Sequence, residues 1–154
     1  ITNNHYDFYP IDLQDDINKI NHEIYININN GVYKTGFAKT QCKYNEAVNN
    51  LFKSLDKIEE KLNNNNYLVS NHLTEADIRL VTTLLRFDNV YHYHFKCNLK
   101  KISDYKNLSR YLEQFRKLNC VKQTTFDDHI KRHYFFSHKS INPTRIIPIG
   151  PIVF

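Results

Sequence analysis

Histidine is the first residue type here whose spacing could support chemistry. His129 and His133 lie four apart in a segment with helical spacing, so both can face one way. His92 and His94 fall in a second, aromatic segment. Zinc accepts imidazole nitrogens at such spacings. No carboxylate or thiolate is placed to complete a set, so no metal site is expected. Tyrosine is the second signal, with 11 Tyr, 10 Phe and no Trp. A tyrosine joins an apolar ring to a polar tip, which suits a pocket for an aromatic ligand bearing hydroxyls. Tyr33 follows Asn30-Gly31-Val32, and Tyr134 sits in His133-Tyr134-Phe135-Phe136. The third signal is Tyr91-His92-Tyr93-His94-Phe95-Lys96, where stacking and phosphate contacts could engage single-stranded nucleic acid. A helix end with solvated side chains is the simpler reading, and no nucleic-acid partner is expected. Cys42, Cys97 and Cys120 form no Cys-x-x-Cys pair. Their odd number and wide spacing argue for structural thiols in a reducing, cytoplasmic setting. No Gly-rich phosphate loop, nucleophile elbow or His-Glu-x-x-His is present.

The elements that must position these residues read as helices. Only 3 Gly and 4 Pro interrupt 154 residues. Leu13, Ile17, Ile20, Ile24 and Ile28 make one apolar stripe, and Tyr44, Val48, Leu51, Leu55, Ile58 and Leu62 make another. Tyr105, Leu108, Leu112, Phe115 and Leu118 make a third. No sustained alternation of period two appears, so no sheet is expected. The first helix is predicted from Pro10 to the stop signal Asn29-Asn30-Gly31. The second runs from about Thr40 to Leu62, closed by the run Asn63 to Asn66. The third opens at Thr74, with Asp77 reaching back as in a capping box. It continues through Ile78 to Phe87, apolar on most sides, as the buried centre of a bundle. Ser103 or Asp104 is expected to cap the fourth. A fifth is predicted from Val121 to Phe135. From Ser137 onward, Pro143, Pro148 and Pro151 demand an extended strap. The fold class is thus all-α, five or six helices around a central buried one, with an extended C-terminal tail.

Apolar residues make up 41% and charged residues 24%, ordinary for a globular chain, and the formal net charge is +5. No apolar run approaches the ~20 residues of a membrane span, and no leader pattern opens the sequence, so no membrane association is expected. The chain starts at Ile1 and contains no Met, and it is read as a piece of a longer protein. Residues 1–154 are expected to form one helical domain.

Seven motifs occur in order: Asn29-Asn30-Gly31-Val32-Tyr33-Lys34-Thr35-Gly36-Phe37-Ala38, Leu73-Thr74-Glu75-Ala76-Asp77-Ile78-Arg79-Leu80, Arg86-Phe87-Asp88, His94-Phe95-Lys96-Cys97-Asn98, Asp128-His129-Ile130-Lys131-Arg132-His133-Tyr134, Ser137-His138 and Ile141-Asn142-Pro143-Thr144-Arg145. Together they resemble the C-terminal helical domain of the glutathionyl-hydroquinone reductases, the Xi, omega-like class of glutathione S-transferases. The resemblance spans roughly Tyr9 to Pro151. Phe126-Asp127 departs from the pattern, where Asn followed by an apolar residue is expected.

The resemblance implies a two-domain parent enzyme. A thioredoxin-like N-terminal domain, absent here, would bind glutathione and carry the catalytic Cys of a Cys-Pro-Trp-Ala motif. No residue of this chain inherits that role, so the piece alone would be inactive. The implied reaction is reductive deglutathionylation: a thiolate attacks the sulfur of a glutathionyl-hydroquinone, hydroquinone leaves, and a second glutathione resolves the mixed disulfide. The resemblance places substrate-binding phenols at Tyr33 and Tyr134, hydrogen-bonded to the quinol oxygens. It also implies glutathione, quinone conjugates, the thioredoxin-like domain and a second copy in a homodimer as partners. The alternative is a non-catalytic helical module of the same fold used for protein–protein association.

Overall fold

The structure, a computed structural model, describes residues 6–151. Among these the chain is helical. Only an isolated bridge pairs Val69 with His72, and no strand forms. The helices are α1 (Gln14–Glu23), α2 (Asn30–Gly36), α3 (Gln41–Lys61), α4 (Glu75–Arg86), α5 (His92–His94), α6 (Lys106–Arg116), α7 (Asn119–Thr124) and α8 (Asp127–Ser137). None is long and apolar enough to cross a membrane.

The first predicted helix does not stop at Asn29-Asn30-Gly31. It continues through a wider π-type stretch, Ile24–Asn29, directly into α2. Packing overrides the stop signal. Ile24, Ile28 and Val32 are fully buried, and Gly31 lies against Leu51 of α3. Asn29 is tied down as its amide donates to the Arg79 carbonyl (3.1 Å) and to Thr83 Oγ1 (2.6 Å). Repeated steps of four drift off a face with 3.6 residues per turn. The widened turns take up that drift and keep these side chains inward.

α3 starts as expected, with Thr40 accepting from the Lys43 amide at 3.3 Å. α4 packs at the centre through Ala76, Leu80, Val81 and Leu84, leaving one open edge at Ile78, Arg79 and Thr82. Asp77 organises its start. One carboxylate oxygen accepts from the Thr74 amide (2.8 Å) and hydroxyl (3.1 Å). The other accepts from the Leu68 amide (2.9 Å) and the Tyr111 hydroxyl (2.8 Å) of α6.

Neither Ser103 nor Asp104 caps the fourth long helix. Both lie in a 3-10 turn, Ile102–Asp104, and α6 begins after Tyr105. Its free amides are met from another helix: Glu59 of α3 accepts from the amides of Asn107 (2.8 Å) and Leu108 (2.7 Å). The predicted helix from Val121 to Phe135 is two helices, α7 and α8, with Thr125 and Phe126 extended between them. The β-branched pair Thr124-Thr125 is a poor helix continuation. Asp127 and Asp128 suit the first turn of a new helix. Asn89 holds that start, its amide donating to Asp127 at 2.9 Å, at the departure in sequence noted above. The tail lies along α8. Lys131 donates to the carbonyls of Pro148 (3.4 Å), Ile149 (2.8 Å), Gly150 (3.2 Å) and Pro151 (3.2 Å). The last three residues of the expected tail, 152–154, and the first five of the expected domain lie outside the described residues.

Asp77→Ala is expected to lower the unfolding free energy by about 3–5 kcal/mol, because buried donors from three segments lose their acceptor. Tyr111→Phe, which removes one of those donors, should cost about 1 kcal/mol. Urea denaturation of both variants checks the ratio.

Candidate functional site

Three tyrosines from distant parts of the chain meet at one end of the bundle. α2 carries Tyr33. A second π-type stretch, Phe87–Tyr91, turns Tyr91 into the core, and α8 brings Tyr134. The hydroxyl of Tyr134 lies 2.8 Å from that of Tyr33 and 2.8 Å from that of Tyr91. Exposure falls inward along this row. Tyr33 is 40% exposed, whereas Tyr134 is 6% and Tyr91 3% exposed.

Phe95 is the backing of the cluster. Its ring stacks on Tyr91 (5.4 Å, 13°) and tilts against Tyr33 at 5.1 Å. It also meets Phe37 at 5.5 Å and Tyr134 at 6.0 Å. Such tilted and offset pairs are favourable geometries for aromatic rings. Gly36 makes room for it: a Cβ there would lie 2.7 Å from the Phe95 Cβ and closer still to the ring. Gly36 thus lets α2 approach closely enough for Tyr33 to reach Tyr134. On the outer side, Phe37 is exposed and meets His138 edge-on at 5.3 Å.

Burial pushes the Tyr91 hydroxyl far above its ordinary range, with the bond to Tyr134 adding to the rise. Tyr134 is pushed up to about 12, first by burial and then by its bond to Tyr33. The positive charge of Arg86 opposes both shifts. The inner phenols therefore stay protonated at neutral pH and act through hydrogen bonds. Behind them, His94 Nε2 and His138 Nδ1 are 3.0 Å apart, with the rings stacked. Burial lowers His94 to about 4, helped by the neighbouring His138. His138 is lowered too, by burial and then by His133.

Tyr33 and Tyr134, distant in sequence, are brought together. The segment from Tyr91 to Lys96 is turned inward at Tyr91, His94 and Phe95 and leaves Tyr93 exposed. His129 and His133 sit exposed on α8, and no group of three or more metal-ligating side chains gathers among the described residues. Cys97 is buried beside the carbonyls of Val32 and Phe95, and burial pushes its thiol up to about 12. It is not poised as a nucleophile. Cys42 and Cys120 are exposed and free. Sequence reasoning missed Tyr91 and the His94–His138 pair. The available signal was the single segment Tyr91 to His94, whose inward face depends on the π-type turn before it.

The family model for the glutathione S-transferase C-terminal domain matches residues 43–114. The chain has the all-α bundle fold of that domain. It is 50% identical over 145 residues to the glutathionyl-hydroquinone reductase PcpF of Sphingobium chlorophenolicum, covering 94% of this chain and 46% of that protein. It is 53% identical over 145 residues to the glutathionyl-hydroquinone reductase YqjG of Escherichia coli K12, covering 94% and 44%. The glutathione-bound structure of YqjG superposes with a TM-score of 0.96 at 51% identity, over 98% of this chain and 49% of that one. The glutathione S-transferase Xi of Phanerochaete chrysosporium superposes at 0.94 with 51% identity, over 96% and 50%. The chain thus spans about half the length of the curated relatives it matches. The all-α bundle shared with these structures is the frame on which the tyrosine cluster is mounted.

The low value for His94 sets a pH dependence. An unfolded histidine titrates near 6.5, and His94 is lowered to about 4 in the fold. Between these values the unfolded chain binds a proton that the folded chain does not, so stability rises with pH there. It should be lost as pH falls from about 6.5 to about 4, by up to about 3 kcal/mol from this group. The groups facing His94 are His138, Phe135 and Phe95, with His133 beside His138. Urea midpoints between those pH values, compared with His94→Phe, check this; the variant should give a flatter profile.

Proposed function

We propose that this chain is the ring-binding helical domain of an enzyme that reduces glutathionyl-hydroquinones to hydroquinones with glutathione. The observation that carries the reading is the pair of hydroxyls, Tyr33 and Tyr134, 2.8 Å apart at the open edge of an aromatic wall. The relatives named above support it, since two of them are glutathionyl-hydroquinone reductases.

In this reading the nucleophilic thiolate and the main glutathione site belong to a thioredoxin-like domain that packs against the Tyr33 face. The thiolate attacks the sulfur of the conjugate. The carbon–sulfur bond breaks, its electron pair leaves with the ring, and the ring takes up a proton to become hydroquinone. The enzyme sulfur is left in a disulfide with glutathione. A second glutathione displaces it, yielding the glutathione disulfide and the free thiolate. The tyrosine edge holds the quinol oxygens and stabilises negative charge that develops on the ring as the bond breaks. Phenols do this without introducing a full positive charge. Burial keeps the inner phenols protonated, so they support the edge hydroxyl through hydrogen bonds. Cys97, buried and pushed up, takes no part. The helical domain alone is catalytically silent, and a homodimer forms largely through it.

In the two-domain protein, Tyr33→Phe and Tyr134→Phe should each lower kcat/KM for a glutathionyl-hydroquinone by about tenfold, the equivalent of one hydrogen bond of about 1–2 kcal/mol. Because the two hydroxyls touch, the double variant should lose less than the product. Unchanged kinetics in both single variants would remove the assignment and favour a non-catalytic association module. Circular dichroism should show an unaltered fold in every variant.

A further inference from the structure

The row Tyr91–Tyr134–Tyr33 has a direction, and the innermost residue sets it. Three arrangements of protons fit two contacts of 2.8 Å. In one, Tyr33 and Tyr91 both donate to Tyr134, and the proton of Tyr134, a residue 6% exposed with no other hydroxyl partner among the described residues, is left over. In the inward arrangement Tyr33 donates to Tyr134 and Tyr134 donates to Tyr91. The Tyr91 proton is then left over in the core. Tyr91 is 3% exposed, and among the described residues its hydroxyl has no hydrogen-bond partner other than Tyr134. Its ring cannot swing away to find one. It is stacked on Phe95, edge-on to Phe87 at 6.3 Å and edge-on to Tyr134 at 5.4 Å. A buried donor without an acceptor loses its hydration and gains nothing in return, so both of these arrangements are disfavoured. In the outward arrangement Tyr91 donates to Tyr134 and Tyr134 donates to Tyr33. Every buried proton is then used, and the one free proton belongs to the exposed hydroxyl of Tyr33.

We infer that Tyr91 is a positioning residue that fixes this row outward, so that Tyr33 alone presents a proton at the open edge and the ligand atom it meets is a hydrogen-bond acceptor. Taking that atom to be a quinol oxygen rests on the function proposed above; the direction of the row does not. Three consequences follow from the geometry. Tyr134 supports Tyr33 by donating to it, and does not face the ligand as an equal second donor. Each bond in the row polarises the next, so a donor three rings deep strengthens the outermost hydroxyl. The oxygen best served at the edge carries negative charge, as a phenolate does, because a charged acceptor draws the stronger bond.

Hydroxyl-proton NMR of this chain with ring-labelled tyrosine tests the direction, since each hydroxyl proton is assigned by its proximity to its own ring hydrogens. The protected protons should belong to Tyr91 and Tyr134, while that of Tyr33 exchanges with solvent. In Tyr91→Phe the Tyr134 proton should shift upfield and exchange faster, with the backbone spectrum unchanged, which a purely packing role for Tyr91 would not produce. A protected Tyr33 proton, an unmoved Tyr134 proton in Tyr91→Phe, or no protected hydroxyl protons at all would overturn the inference. In the two-domain protein, Tyr91→Phe should lower kcat about threefold at nearly constant KM, the share expected of one cooperative bond in a chain. Any of these NMR results rejects the direction alone. Full activity in Tyr33→Phe and Tyr134→Phe rejects the quinol reading and leaves the direction standing.

Discussion

The fold is organised around a charged group with no access to water. The Asp77 carboxylate is fully buried, and its acceptor positions are filled by Thr74, Leu68 and Tyr111. A buried carboxylate is tolerable only when its oxygens are saturated with donors. That requirement fixes three things at once: the first turn of α4, the path of the loop before it, and the rotation of α6 about its axis. The apolar side chains of α4 then face the stripes of α1 and α3 with little freedom left.

From that centre, irregular backbone delivers the site. Both π-type stretches precede or contain a tyrosine of the cluster. The stretch Ile24–Asn29 rotates α2 so that Tyr33 faces outward while Val32 stays in the core. The stretch Phe87–Tyr91 turns Tyr91 inward off the end of α4. A regular helix in either place would shift these side chains around the axis. The absent side chain of Gly36 and the bulk of Phe95 are complementary, and together they bring α2 within reach of α8.

The long, strongly periodic stretches were legible in the sequence. α3 and α4 fall within a residue or so of their expected ends, because their caps, Thr40 and Thr74, lie next to the helices they start. Where the deciding partner is remote, local reading fails. Gly31 looks like a terminator until Leu51 is seen against it. α6 lacks a local cap because Glu59 supplies one from 48 residues away. The start of α8 after its break from α7 is held by Asn89, 38 residues away. The site was less legible still. Tyr33 and Tyr134 are 101 residues apart, and only the resemblance to a family paired them. Tyr91 stood in a segment whose composition suggested a solvated surface, and no periodicity indicates that a widened turn hides it.

The cap that Glu59 provides ties two helices into one folding unit. A helix whose opening amides are met by its own neighbouring residues can flicker in and out of existence alone. α6 cannot, because its first turn is incomplete until α3 has formed and docked with Glu59 in place. The backbone amide of Asn107 is bound by the same side chain, and its own amide group returns a bond to the Glu59 carbonyl at 3.1 Å. Two-way clasps of this kind couple the opening of α6 to that of α3.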